Sequence, residues 1–307
     1  MKFSVAIPTY KRPEELKRAI KSVVTQRLKP FELIVVSRLN DFSTNKVIAS
    51  SIEQYSNIEI KHAFVEDAGF LPPIFEAVRI AEGDVLALLD DDAEAREDWL
   101  ERIANHYQLP NVAGVGGRCV NFFDGVEQKY PRADTVGKLC WHGKPVGNMY
   151  KDTMFSDPVY VDFLMGGNSS FNLEILKRSL PDTRLRRDVS FYWEMDVGLK
   201  VKKLGYQVIF DPKVVVAHYS APRDTPGLRT INYEGVYWSN YNYAVLMRKH
   251  LNLLRFSVYV VFTFLVGWSG SPGIIRILLS LLQSQKVEWR NMIFASLSGR
   301  IKGLLSK

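Results

Sequence analysis

The chain reads as an α/β protein built on a mostly parallel, doubly wound sheet, and three observations predict it. Short apolar runs at Phe3–Ile7, Glu32–Val36, Asn57–Phe64 and Val85–Leu89 alternate with segments of helical spacing. The second and fourth runs are nearly all apolar, as expected of strands covered on both faces. The resulting β-α-β-α-β-α-β order calls for parallel strands with right-handed crossovers. At 307 residues, with 47% hydrophobic and 24% charged content, the chain can bury a substantial core and is not a disordered one.

Taken in order, Phe3, Val5 and Ile7 alternate before Pro8 and Thr9 stop the first strand. Pro13, Glu14 and Glu15 open a helix, because proline suits an early position and acids suit the positive end of the dipole. Leu16, Ala19, Ile20, Val23 and Val24 give that helix an apolar stripe. A second helix is expected over Pro73–Ala81, and Gly83 and Asp84 then turn the chain into the fourth strand. That strand runs directly into Asp90, Asp91 and Asp92. Three adjacent anions repel unless a cation or hydrogen-bond donors offset them. The C-terminal edge of such a sheet is also where ligands bind.

A helix with Trp99, Leu100 and Ile103 on one face is expected over Arg96–Tyr107. The Gly-rich stretch Val112–Val120 reads as extended. Its Gly114-Val115-Gly116-Gly117 lacks the spacing and the position of a dinucleotide loop. Asn121 to Tyr160 is polar and without period, the mark of a long functional loop. Gly166 to Phe171 leads into a helix from Leu173, and Trp193-Glu194-Met195-Asp196 opens another that ends at Gly205. Gln207–Phe210 and Val214–Ala217 read as two short strands around Asp211-Pro212, with His218 after the second.

Charge separates the chain into two parts. From Arg248 to Lys307 there are nine Lys or Arg and one acid, Glu288, while the remaining 31 basic and 32 acidic groups nearly cancel. The basic excess lies among long apolar runs, which suits an anionic membrane surface and excludes a nucleic-acid partner. Phe256 to Ile275 is uncharged for 20 positions, but Gly267, Gly270, Pro272 and Gly273 interrupt it. Two or three amphipathic helices lying on a membrane are therefore expected, with a packed subdomain or an oligomer surface as the alternative. A domain boundary is placed between residues 225 and 226. Cys119 and Cys140 form no CxxC pair, and the short N-terminal apolar run is no secretory signal, so a cytoplasmic, membrane-peripheral protein is expected.

The Asp90–Asp92 cluster, Glu194 with Asp196, and His218 fall at one edge of the expected sheet. Carboxylates and an imidazole suit Mn²⁺ or Mg²⁺ bridging a diphosphate, and a further carboxylate could accept a hydroxyl proton. The ordered set Val5-Ala6-Ile7-Pro8-Thr9-Tyr10-Lys11-Arg12-Pro13, Leu88-Leu89-Asp90-Asp91-Asp92, Gly167-Asn168-Ser169-Ser170-Phe171, Trp193-Glu194-Met195-Asp196 and Phe210-Asp211-Pro212 with His218 resembles a family-2 glycosyltransferase of the GT-A fold.

The resemblance implies an inverting, metal-dependent sugar transfer from a nucleotide-diphosphate sugar to a glycan or lipid-linked acceptor, as in polysaccharide biosynthesis. It implies that Pro8, Thr9, Tyr10 and Arg12 line the nucleotide pocket and that Asp90 and Asp91 serve the donor. Asp92 and His218 would hold the metal. Glu194 stands at the position of the base with Asp196 two residues on, and Gly167, Asn168 and Trp193 fall on the acceptor side. Two departures lie on the donor side. The family's acid after the second strand is replaced by Ser37 and Arg38, with Asp41 the nearest carboxylate, and Pro73-Ile74-Phe75 stands where an Ala-Arg-Asn motif is usual. They leave open a catalytically silent sugar-nucleotide binder of the same fold. Simpler roles remain for several residues: Tyr10 and Arg12 could pack on the first helix, Asp91 cap the next one, Asp196 serve as a first-turn acid, and His218 sit hydrogen-bonded in the core.

Overall fold

A computed structural model describes residues 1–147, 149, 152–185, 192–220, 232–282 and 288–306. The chain divides into two compact units. The first comprises Met1–Lys138, Gly147–Pro181 and Glu194–Pro222, and the second comprises Leu139–Val146, Asp182–Trp193 and Arg223–Lys307. The boundary expected at residues 225 and 226 lies outside the described residues.

The chain opens with β1 (Phe3–Pro8), α1 (Pro13–Val24), β2 (Glu32–Ser37), α2 (Phe42–Gln54), β3 (Glu59–Phe64), α3 (Leu71–Ile80) and β4 (Val85–Leu89). Next come β5 (Ala93–Ala95), α4 (Trp99–His106) and β6 (Val112–Phe123). Among the described residues, the polar connection holds the two-residue strands β7 (Val126–Glu127), β8 (Lys138–Leu139), β9 (Pro145–Val146) and β10 (Val159–Tyr160). β11 (Asn168–Asn172), α5 (Leu173–Arg178), α6 (Trp193–Lys203) and β12 (Gln207–Tyr219) complete the series.

The main sheet runs β10-β12-β6-β11-β4-β1-β2-β3. β1 pairs in parallel with both β2 and β4, and β2 with β3, as the apolar runs predict. β11 enters antiparallel between β4 and β6, so Gly166 to Phe171 is a strand lead-in rather than only the approach to a helix. The helix between β2 and β3, for which the sequence reading names no residues, starts at Asp41. That carboxylate accepts from Thr44 N, a side-chain N-cap.

The core forms where the expected stripes meet. All five stripe residues of α1 are buried, and Trp99, Leu100 and Ile103 of α4 pack into the same cluster as Val5, Ile7 and Val35. The glycines of β6 serve close packing. A Cβ on Gly117 would lie 1.8 Å from Val214 O, so only glycine admits the neighbouring strand there. β12 shifts register between Asp211 and Val215, a bulge at Asp211-Pro212 that joins the two expected short strands into one.

The second unit is helical: α7 (Tyr233–His250), α8 (Leu253–Leu265), α9 (Ile274–Leu282) and α10 (Glu288–Leu305), with the tiny ladder of β13 (Gly267–Trp268) and β14 (Ser271–Pro272) between α8 and α9. That ladder occupies the Gly and Pro positions expected to interrupt the uncharged run. Among the described residues no helix is long and apolar enough to cross a membrane. α10 lies against α7 through Gly299 and Gly303, where added Cβ atoms would stand 2.2 Å and 2.4 Å from the carbonyls of Tyr237 and Tyr241. Arg300 of α10 is fully buried. Its guanidinium caps the end of α8 by donating to Thr263 O and to Thr263 Oγ1 at 3.0 Å, and reaches Pro272 O at 2.6 Å.

Candidate active site

The site lies at the C-terminal ends of β1 and β4, where their backbones release Thr9–Arg12 and Asp90–Asp92. β5 follows the acidic cluster at once and pairs antiparallel with β12, setting His218 opposite Ala93. This pairing, and the bond from Tyr219 N to Asp92 O at 2.8 Å, bring an imidazole beside carboxylates more than a hundred residues away. His218 Nε2 stands 3.1 Å from Asp92 Oδ1 and 3.7 Å from Asp90 Oδ2. Each of the three offers one ligand atom within 4.8 Å of the others.

His218 is held from behind. Its Nδ1 lies 2.9 Å from Asn121 Oδ1, an acceptor that fixes the proton on Nδ1 and turns Nε2 to the carboxylates. Nothing in the spacing around Asn121 marks it. It reaches the site only because β6 runs parallel to β12 with Asn121 opposite His218.

Arg12 packs against the acidic cluster. Its Nη1 donates to Asp91 Oδ1 at 2.7 Å and to Asp92 Oδ2 at 3.0 Å, with 12% of the side chain exposed. Burial pushes the Asp91 carboxyl up to about 6, and the charge of Asp92 adds to the rise while Arg12 opposes it. Arg12 and Asp91 therefore form a largely buried brace under the cluster. The brace offsets anion repulsion and orients Asp92 so that Oδ1 faces His218.

Glu194 completes the geometry from the first turn of α6. Its Oε1 accepts from Gly166 N at 3.1 Å. Desolvation pushes its carboxyl up to about 8, the neighbouring charge of Asp90 adds to this, and the backbone N–H bonds oppose it. Gly167 seats Asp90: a Cβ there would stand 2.4 Å from Asp90 Oδ2. Two adjacent glycines thus serve two acids, one through its N–H and one through its missing side chain.

The family model described as "Glycosyl transferase family 2" matches residues 4–180, more than half of the chain. The protein belongs to glycosyl transferase family 2. Its fold is GT-A. Glucosyl-dolichyl phosphate glucuronosyltransferase of Haloferax volcanii is 31% identical over 125 residues, covering 39% of this chain and 39% of that relative. The chain therefore matches about two fifths of the relative's length. S. aureus TarS, solved with UDP-GlcNAc, superposes with a TM-score of 0.64 at 16% identity, over 99% of this chain and 82% of that one. The mannosyltransferase PcManGT of Pyrobaculum calidifontis, solved with GDP-Man and Mn²⁺, gives 0.60 at 15% identity, over 100% of this chain and 88% of that one.

The remaining expected residues of the glycosyltransferase divide between site and scaffold. Pro8 and Thr9 end β1, with Thr9 N bonded to Val36 O at 2.9 Å. Tyr10 stays half-buried at the edge, with the Arg38 guanidinium 4.0 Å from its ring centroid. Ser37 is fully buried, its Oγ donating to Asn45 Oδ1 at 2.7 Å and lying 2.8 Å from His62 Nε2. Asp41 caps α2 and also accepts from Lys11 N, so its carboxylate is engaged by the backbone on both sides.

Three further expected residues are buried. Asn168 is fully buried, accepting from Trp99 Nε1 at 2.8 Å and donating to Arg118 O and Val214 O at 3.0 Å each. It ties β11 to α4, β6 and β12. Trp193 is 1% exposed. Asp196 is fully buried and pairs with Lys200 one turn on at 3.0 Å, as a first-turn helix acid does.

Proposed function

We propose that this glycosyltransferase moves a sugar from a nucleoside-diphosphate sugar to a hydroxyl of a glycan or lipid-linked acceptor, with inversion at the anomeric carbon. The observation that carries the reading is the meeting of the Asp90, Asp92 and His218 cluster with Glu194 across Gly166 and Gly167. An acceptor hydroxyl is a poor nucleophile until its proton is taken, and a carboxylate poised near neutral pH is suited to take it. One base and no nucleophilic carboxylate is the requirement of a single displacement.

The donor set suits a divalent cation. Two carboxylates and an imidazole fit Mn²⁺ better than Mg²⁺, which favours oxygen ligands. Asp90, Asp92 and His218 would hold the ion, and when bound it would neutralise charge developing on the leaving diphosphate. Asn121 keeps the His218 Nε2 directed at that position, and the Arg12 brace keeps Asp92 from turning away. Mn²⁺ in the solved neighbour with GDP-Man supports this choice. The two neighbours hold a uridine and a guanosine sugar nucleotide, so the base is left to experiment.

The buried Ser37 and Asp41 favour one second reading, a sugar-nucleotide binder without turnover. A panel of nucleotide sugars with Mn²⁺ and a lipid-linked glycan pool separates the two. Transfer by the wild-type chain, lost roughly a hundredfold or more in Asp92→Asn and in Glu194→Gln, is the expected result. Full activity in both variants would sink the mechanism. Calorimetric binding of a nucleoside diphosphate with no turnover on any acceptor would favour the silent binder.

A further inference from the structure

The helical unit carries an apolar surface that its own packing leaves uncovered. α8 turns Leu254, Val261 and Leu265 outward along one stripe, and Leu253 at its start is 82% exposed. α9 turns Ile274, Ile275, Leu278 and Leu279 outward, the last two 55% and 56% exposed. Trp141 is 56% exposed beside the start of α8, where Arg255 Nε donates to its carbonyl at 3.0 Å. Isolated exposed leucines are ordinary, but a run over two consecutive helices marks a contact surface.

Charge decides what covers it. From Gly235 to Val287 there is no Asp or Glu, while Arg248, Lys249, Arg255, Arg276 and Lys286 are present. A second copy placed by a twofold axis would set this acid-free, basic surface against itself. A lipid surface supplies acyl chains for the leucines and anionic headgroups for the arginines together. The helices have the length of interfacial segments, at 13 and 9 residues, and an exposed Trp suits the headgroup layer.

We propose that α8, α9 and Trp141 form the face by which the protein docks on an anionic lipid surface without crossing it. The leucines and isoleucines enter the acyl boundary, and Arg255 and Arg276 meet headgroup phosphates. The proposal deepens the reading of a lipid-linked acceptor by placing the protein in the acceptor's own layer, yet its test needs no turnover. The full chain is sedimented with phosphatidylcholine vesicles and with phosphatidylcholine vesicles enriched in phosphatidylglycerol, at low and high salt. The expected result is roughly tenfold stronger binding to the anionic vesicles, falling as salt rises.

A Leu278→Glu, Leu279→Glu double variant should lose roughly tenfold in binding. Circular dichroism and the melting temperature report its fold, and Arg276→Glu, at an exposed position, tests the charge if the double variant does not fold. No binding to anionic vesicles, equal binding to neutral ones, or unchanged binding in the folded variants overturns the proposal. A concentration-dependent dimer abolished by the same substitutions, without vesicle binding, would assign the face to a second copy.

Discussion

Glu194 shows how a single carboxyl can trade stability for chemistry. Its folded-state value is raised from 4.5 to about 8, chiefly by desolvation. Below pH 4.5 the group is neutral in the folded and the unfolded chain alike and carries no penalty. Between 4.5 and about 8 the unfolded chain releases the proton and the folded chain keeps it, so stability falls as pH rises; above about 8 the loss is complete. Gln cannot ionise. In metal-free protein, Glu194→Gln is therefore expected to melt above the wild-type chain by a margin that opens above pH 4.5 and levels off beyond about 8. A margin independent of pH in parallel thermal melts would show that Glu194 is not desolvated. The position of Glu194 was legible from its motif. The environment that tunes it was not, because Gly166 and Asp90 reach it only through the antiparallel entry of β11 beside β4.

At the scale of elements, most of the first unit was legible from periodicity, because strands covered on both faces and a helix with one apolar stripe leave distinct patterns. α2 escaped because its Phe42–Gln54 face is polar and weakly patterned, and its start depends on the Asp41 cap rather than on an apolar run. The contact between α7 and α10 rests on glycine. At Gly299 a Cβ would press 2.2 Å from the Tyr237 carbonyl, a backbone atom that cannot rotate aside. Gly299→Ala is expected to destabilise the chain by about 1–3 kcal/mol despite the better helix propensity of Ala, as read from denaturant unfolding. A gain in stability would mean that the two helices part without cost.

For the whole molecule, the two units are interleaved in sequence. The helical unit takes Leu139–Val146 and Asp182–Trp193 from between segments of the first unit. Tyr243 Oη donates to Gly143 O at 2.6 Å, and Lys249 Nζ donates to Asp182 Oδ2 at 2.6 Å. Both bonds tie an inserted segment to α7 within the helical unit. A chain ended after Pro222 leaves both inserted segments without these partners and is expected to melt at a clearly lower temperature than the full chain. An unchanged melting temperature and full nucleotide binding in the shortened chain would show that the segments need no helical partner.

The sequence by itself determined the fold class, the family and the acidic cluster released at the end of β4. Those depend on local patterns: apolar runs, a proline-started helix, and carboxylates released at a strand end. Only the tertiary structure decided which of the candidates face one another. Register set His218 beside Asp92 and Asn121 behind His218. It also drew Arg12 and Asp91 inward as a brace and withdrew Asn168, Trp193 and Asp196 from the surface. A motif names residue types at a spacing. Whether a side chain meets substrate or supports one that does depends on burial and strand pairing between distant segments, which spacing along the chain does not encode.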